Sequence, residues 1–201
     1  MSARGGARPA VFLDRDGTLN RELPGALTQP EQLELLPGAL AGAERLAQSG
    51  FALVLITNQS AIARGWLDFG QLARVHAELA RRMAAAGAPL AGLYVCPHHP
   101  DAGVPPYRRA CACRKPAPGL LRRAARELGL DLAASWLVGD AERDLAAGDE
   151  LGLRSILVRT GKGQREQERM AAAGRAPQHL AADLDEAARL VLAGRGASQG
   201  R

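Results

Sequence analysis

The chain has 201 residues, of which 47% are hydrophobic, a size and composition that suit one domain with a substantial core. The formal charge of +5 permits contacts with phosphate groups, but there are only two tryptophans, two tyrosines and three phenylalanines, and the basic residues are scattered. Nucleic-acid binding is therefore not expected, and with no apolar run of about 18 residues neither is a membrane segment.

Short apolar runs alternate with longer helical patterns along the chain. Strands are predicted over 10–14, 51–57, 90–96, 135–140 and 154–158, and helices over 38–49, 68–86, 118–128, 142–151 and 184–192. Glycines stand where four of the helices should end, at Gly50, Gly87, Gly129 and Gly152. Strands separated by crossover helices predict an α/β fold, a doubly wound, Rossmann-like parallel sheet covered on both faces.

One domain is expected over residues 1–194, with its motifs between 11 and 161, followed by a disordered tail over 195–201. The first ten residues, MSARGGARPA, lack the apolar segment of a secretion signal, so a cytoplasmic protein is expected. We also expect a monomer.

Two acids follow the first strand, in the segment Phe12-Leu13-Asp14-Arg15-Asp16-Gly17-Thr18. Open α/β sheets bind ligands at the carboxyl ends of their strands. Two close carboxylates there call for a hard divalent cation, and Mg²⁺ fits best. A carboxylate can also act as a nucleophile towards phosphate. The alternative interpretation is an ordinary Asp-Gly-Thr turn after a strand.

Further polar residues follow the later strands. Thr57 ends the second predicted strand and could hold a phosphate or simply cap a helix. Asp140 adds a third acid after the fourth strand, and Lys115 precedes a helix where it could meet a substrate phosphate. For Asp144 we favour a role in the first helical turn, as a cap or in an ion pair. The combination predicts an enzyme that acts on phosphate esters.

These motifs together resemble the haloacid dehalogenase superfamily of phosphohydrolases. The resemblance rests on DRDGT, TN, a lysine and GD-x-x-x-D, and it covers residues 11–161. It implies an Mg²⁺-dependent phosphatase in which Asp14 is the nucleophile and Asp16 the general acid and base. It also implies that Thr57 and Lys115 bind the phosphoryl group, and that Mg²⁺ is held by Asp14, the backbone carbonyl of Asp16, and Asp140.

Within that superfamily the chain is similar to the bacterial heptose 1,7-bisphosphate phosphatases. FLDRDGTLN, TNQSAIARG, CPHHP, CRKPAPGLL and LVRTGKG carry this similarity. It implies removal of the C7 phosphate from a phosphorylated sugar by a protein without a large cap domain. The expected substrate contacts are Glu22, Asn58, Gln59, Ser60, Arg64 and Arg114. Two departures from the family pattern are the segment 21–27, which lacks the usual His and Tyr, and Ala141, where a lysine is common.

The three cysteines lie within 18 residues of one another, in a C-x-H…C-x-C pattern with twelve residues between the pairs. Four such ligands suit a tetrahedral structural Zn²⁺, and unrelated buried thiols are the alternative. The family pattern implies that the ligands are Cys96, His98, Cys111 and Cys113, so that a zinc-binding loop delivers Arg114 and Lys115.

Two alternatives to a heptose bisphosphatase remain open from the sequence. A histidinol-phosphate phosphatase shares the DRDGT motif, the cysteine pattern and the lysine. A catalytically silent binding protein on the same fold is the second, and the complete set of Asp14, Asp16, Thr57, Lys115 and Asp140 argues against it.

Overall fold

The computed structural model describes residues 7–196 of the chain, with side chains described as far as residue 194. The strands are β1 (Arg8–Leu13), β2 (Ala52–Asn58), β3 (Leu90–Cys96), β4 (Leu130–Gly139), β5 (Arg154–Val158) and β6 (His179–Ala181). The helices are α1 (Ala39–Gln48), α2 (Phe69–Ala85), α3 (Gly119–Leu128), α4 (Glu142–Asp149), α5 (Gly163–Ala172) and α6 (Leu184–Gly196), and a short 3₁₀ turn spans Pro30–Gln32.

The six strands form one parallel sheet in the order β3-β2-β1-β4-β5-β6. From β1 the chain runs outward to β2 and β3, and then crosses to β4, which pairs with the other side of β1. The carboxyl ends of β1 and β4 therefore flank the switch point where ligands bind in doubly wound folds.

Alternate residues of β1 enter two separate cores. Val11 and Leu13 belong to the core formed with α1, α2 and α6, whereas Ala10 and Phe12 belong to the core formed with α3 and α4. Side chains alternate along a strand, so a strand that is apolar at every position is covered on both faces. The predicted fold class is confirmed.

The structure also corrects the prediction in several places. β4 begins at Leu130, five residues before its predicted start. The prediction missed these residues because the first half of the strand is only partly buried and carries Asp131. α5 and β6 were not expected: α5 buries only Gly163 and Met170, so its sequence has no apolar stripe, and β6 has three residues. α6 continues to Gly196 rather than ending at 192, so the tail expected over 195–201 is wrong for its first two residues, and 197–201 lie outside the described residues.

The four glycines expected at helix ends all adopt positive φ, between 63° and 87°. Among residues 7–196, no helix is both long and apolar enough to cross a bilayer.

Candidate active site

Four side chains predicted from separate motifs meet at the carboxyl edge of the sheet. Asp14 directly follows β1, Thr57 lies near the end of β2, and Asp140 directly follows β4. Lys115 reaches them from the loop before α3, and all four are buried. The parallel sheet brings them together because the strands that precede them end at one edge.

Lys115 is the cation at the centre of this group. Its Nζ lies 2.8 Å from Asp14 Oδ1 and 2.8 Å from Asp144 Oδ1, and it donates to the carbonyl of Ile56 at 3.0 Å. Burial disfavours the charged amine, but the two carboxylates outweigh it and raise the pKa of Lys115 above its ordinary value. The Asn58 side chain fixes the loop by bonding both the N–H and the carbonyl of Lys115, each at 3.1 Å.

Asp144 is fully buried and takes both of the roles considered from the sequence. Its Oδ2 accepts from the backbone N–H of Ala141 at 3.1 Å, which caps the start of α4, and its Oδ1 pairs with Lys115. Its contact with Lys115 was not predicted, because the sequence does not show which way a residue in a first helical turn points.

Three acids, Asp14, Asp140 and Asp144, offer oxygens that all lie within 4.8 Å of one another. Burial raises the pKa of Asp14 to about 6 and that of Asp140 to about 7, and the repulsion between the acids adds to both. Among the described residues nothing bonds the buried Oδ1 of Asp140, whereas its Oδ2 accepts from the N–H of Lys162 at 2.8 Å. An all-oxygen set with an unpartnered buried atom fits a hard divalent cation such as Mg²⁺.

Two glycines leave room for the Asp140 carboxylate. A Cβ on Gly17 would lie 2.0 Å from Asp140 Oδ2, and a Cβ on Gly161 would lie 2.3 Å from the same atom. Both glycines also have positive φ, 84° and 58°. The glycine of DRDGT and the first glycine of TGKG are therefore required by the same carboxylate.

The Asp16 side chain lies beside this group of three acids and has its own partners. Arg15 donates to both of its oxygens at 2.8–3.1 Å, and Asn20 and Gln59 donate one further bond each. Burial works against its ionisation, but Arg15 and these hydrogen bonds hold the pKa of Asp16 below its ordinary value. Neither Arg15 nor Asn20 was predicted, although both belong to the FLDRDGTLN motif.

The C-x-H…C-x-C residues form a second possible metal site. The Sγ atom of Cys111 lies 3.6 Å from Cys96 Sγ and 3.4 Å from Cys113 Sγ, and His98 Nδ1 lies 3.7 Å and 3.3 Å from Cys96 and Cys113. A tetrahedron with Zn–S bonds of about 2.3 Å has edges of about 3.8 Å, close to these separations. His99 turns away and accepts from the N–H groups of Asp101 and Ala102 instead. The four predicted ligands therefore converge, and they can hold a metal such as Zn²⁺.

The residues predicted to contact substrate divide into two groups. A pocket beside Asp16 is lined by Glu22, Asn58, Gln59 and Ser60, among others. Arg64 and Arg114 are not part of its lining: Arg64 stacks on Trp66, and Arg114 donates to the carbonyl of His98 at 3.0 Å.

A cross-link near that pocket was missed from the sequence. Lys162 Nζ lies 2.6 Å from Glu22 Oε1, so the segment after β5 is tied to the loop after β1. The only signal for it was the LVRTGKG motif, which does not indicate what its lysine contacts.

The chain is similar in sequence to known phosphatases. A family model described as HAD-hydrolase-like matches residues 112–187. The chain is 44% identical over 156 residues to the D-glycero-beta-D-manno-heptose-1,7-bisphosphate 7-phosphatase of Photorhabdus laumondii, covering 77% of this chain and 82% of the relative. It is 41% identical to the Escherichia coli K12 protein of the same name over 155 residues, covering 77% and 81% of the two chains.

A solved structure shows the same similarity. The crystal structure of D,D-heptose 1,7-bisphosphate phosphatase from B. bronchiseptica, complexed with magnesium and phosphate, superimposes with a TM-score of 0.80 at 37% identity. The match covers 92% of this chain and 99% of that one.

Proposed function

Since this chain belongs to the heptose 1,7-bisphosphate phosphatases of the haloacid dehalogenase superfamily, we propose that it removes the C7 phosphate from D-glycero-D-manno-heptose 1,7-bisphosphate. The observation that carries the proposal is the buried group of Asp14, Lys115 and Asp140 at the switch point of the sheet. Its charges and position suit a phosphoryl group whose negative charge must be neutralised.

In the proposed reaction Asp14 is the nucleophile. Its carboxylate oxygen forms a bond to phosphorus while the bond from phosphorus to the sugar oxygen breaks, which gives an aspartyl-phosphate. Lys115 and the N–H of Arg15, 2.7 Å from Asp14 Oδ1, fix the carboxylate for this attack. To act as the general acid, Asp16 must take up a proton before the reaction, because Arg15 lowers its pKa in the substrate-free protein; it gives that proton to the departing sugar oxygen and then takes one from the water that releases phosphate.

The phosphoryl oxygens are bound by Thr57 and Lys115 in this proposal. Asp14, the backbone carbonyl of Asp16, and Asp140 would hold Mg²⁺, which when bound neutralises charge on the transferring phosphate. The buried Oδ1 of Asp140, which has no hydrogen-bond partner within the described part of the chain, supports this ligand set.

The cysteine cluster would hold a structural Zn²⁺. Cys96 ends β3, and Cys111 and Cys113 lie just before Arg114 and Lys115, so a bound ion would tie the loop that carries both cations to the sheet. Such a site needs free thiols, and all three cysteines are free, which favours the reducing cytoplasm. We propose a monomer, because one chain supplies all the residues named above.

Arg114 would bind the second phosphate of the substrate. Arg114 precedes Lys115 in the chain, and one of its Nη atoms donates to the carbonyl of His98, which fixes the guanidinium against the segment that follows β3. A guanidinium grips phosphate oxygens in pairs, whereas it would repel the amine of histidinol phosphate. Glu22 is proposed to accept from a sugar hydroxyl after exchanging its contact with Lys162.

The test is a comparison of kcat/KM for heptose 1,7-bisphosphate, fructose 1,6-bisphosphate and histidinol phosphate at one Mg²⁺ concentration, with an EDTA control. We expect the heptose bisphosphate to be preferred and EDTA to abolish turnover. A preference for histidinol phosphate by about tenfold, or about 1.4 kcal/mol in the transition state, would establish the alternative substrate. Release of no phosphate from any of the three would indicate a silent binding protein.

A further inference from the structure

Arg15, between the two acids of DRDGT, is a buried cation whose side chain is only 2% exposed. Its Nε donates to Asp16 Oδ1 at 3.1 Å, and its Nη2 lies 3.0 Å and 2.8 Å from the two Asp16 oxygens. This forked contact fixes the direction of the carboxylate as well as pairing its charge.

His76, on α2, supports the other end of the guanidinium. Arg15 Nη1 lies 3.0 Å from His76 Nε2, and because a guanidinium can only donate, this nitrogen must be the acceptor of a neutral ring. Burial and the neighbouring Arg15 lower the pKa of His76 to about 3, in agreement with that neutral form. Through His76 and Arg15, α2 is thus connected to Asp16, although α2 supplies none of the proposed catalytic residues.

Gln59 completes the arrangement and links it to the phosphate site. Its Oε1 accepts from Arg15 Nη2 at 3.1 Å, which leaves its amide nitrogen to donate to Asp16 Oδ2 and to Thr57 Oγ1, each at 2.8 Å. The orientation of Asp16 is therefore tied to a hydroxyl proposed to bind the phosphoryl group.

The arrangement has a buried side and an open side. The Asp16 side chain is 24% exposed and, together with Arg15, lines the pocket that also contains Glu22 and Ser60, whereas His76 is buried and does not line it. Burying a guanidinium is costly unless its donors are paired, and here each of its three nitrogens has a partner.

We propose that Arg15, supported by His76, is a positioning residue that holds the Asp16 carboxylate towards the departing sugar oxygen. The inference rests on the proposed function, in which Asp16 gives one proton to that oxygen and recovers one from water. Loss of the support should impair proton transfer more than attack by Asp14, because Asp14 is fixed by Lys115 and by a backbone N–H.

The test compares two leaving groups in the variants His76→Leu and His76→Gln. Nitrophenolate leaves without a proton, whereas a sugar alkoxide needs one, so kcat/KM is measured with 4-nitrophenyl phosphate and with heptose 1,7-bisphosphate. We expect His76→Leu to lose about tenfold or more with the sugar phosphate and less than about threefold with the aryl phosphate. His76→Gln keeps an acceptor for Arg15 and should recover most of the loss.

Circular dichroism and thermal melting establish that each variant is folded. If His76→Leu does not fold, Arg15→Lys provides the same test, since it keeps the charge and removes the fork. Equal losses with both substrates, or no loss with either, in a folded variant would overturn the positioning role. A wild-type protein that hydrolyses neither ester would instead contradict the proposed function, so the two failures are distinguishable.

Discussion

At the scale of single residues, the positive charge of Lys115 offsets the repulsion between buried acids at one edge of the sheet. Lys115 pairs with Asp14 and Asp144 at 2.8 Å, whereas among the residues that the structure describes Asp140 is hydrogen-bonded only by a backbone N–H, at one oxygen. Arg143, 4.0 Å from Asp144, adds a second positive charge, but burial and the neighbouring Asp14 still raise the pKa of Asp140 to about 7. An added cation would interact most strongly at that position.

The first prediction concerns the nucleophile. Asp14→Asn should abolish turnover and leave the fold intact, because an amide oxygen does not form an acyl-phosphate. Asp16→Asn should still bind substrate and accumulate phosphoenzyme, since acid–base help is typically worth about 10²–10⁴ in rate. Labelled substrate followed by peptide mass mapping locates the phosphoryl group. Label on any residue other than Asp14 would refute the assignment.

The second prediction concerns the distal phosphate. Arg114→Ala should raise KM for heptose 1,7-bisphosphate by about tenfold, equivalent to about 1.4 kcal/mol, and should change KM for a small monophosphate much less. Arg122→Ala is the matched control, since Arg122 is an exposed arginine of α3 that pairs with Glu150. A similar rise with both esters would show that Arg114 supports the loop rather than the second phosphate.

At the residue scale, the sequence predicts which residues lie at the edge of the sheet but not which side chains contact one another. Asp14, Thr57 and Asp140 follow from the pattern because each comes at the end of an apolar strand. The contacts of Arg15, His76 and Lys162 depend on side-chain direction across segments far apart in the chain, and spacing does not encode that direction.

At the scale of elements, strands and helices with strong apolar patterns were predicted well, and those without such patterns were missed. β3 and β5 have the predicted bounds, since both carry branched or aromatic residues between clear breaks. α5 is mostly polar, and its Arg169 pairs with Glu166 of the same helix and with Glu142 of α4, so its sequence has no helical periodicity of apolar residues.

The third prediction concerns the loop between β3 and α3. Purified protein should contain about one equivalent of zinc, and His98→Gln should lose it while His99→Gln keeps it, because only His98 faces the three thiols. Loss of the ion should destabilise the fold by about 2 kcal/mol or more, or roughly 4–8 °C in Tm for a chain of this length. Elemental analysis and melting curves provide the measurements. Wild-type protein without zinc, or equal zinc loss in both variants, would contradict this ligand set.

For the whole molecule, the site carries a cost to stability that depends on pH and on metal. In the folded protein the pKa of Asp140 is about 7 and that of Asp14 about 6, both above the ordinary value of 3.8, chiefly because of burial. The folded state therefore binds these protons more tightly than the unfolded chain does. Stability contributed by the protonated acids is present at low pH and is lost as pH rises from about 4 through 7.

The fourth prediction follows from this sign. In EDTA, Asp140→Asn should melt at a higher temperature than the wild type at pH 8, and the difference should shrink as pH falls towards 4, because both proteins are then uncharged at this position. Subtracting the two curves removes the contribution of groups that do not interact with Asp140, such as His76, and leaves that of Asp140 together with its coupling to Asp14. Addition of Mg²⁺ at pH 8 should raise the Tm of the wild type and have much less effect on the variant, since the ion replaces the missing positive charge at Asp140. Melting curves at pH 4, 6 and 8, with and without Mg²⁺, make the comparison. A difference that is independent of pH would show that Asp140 is ionised at no cost in the metal-free fold, and an equal Mg²⁺ response in both proteins would place the cation elsewhere.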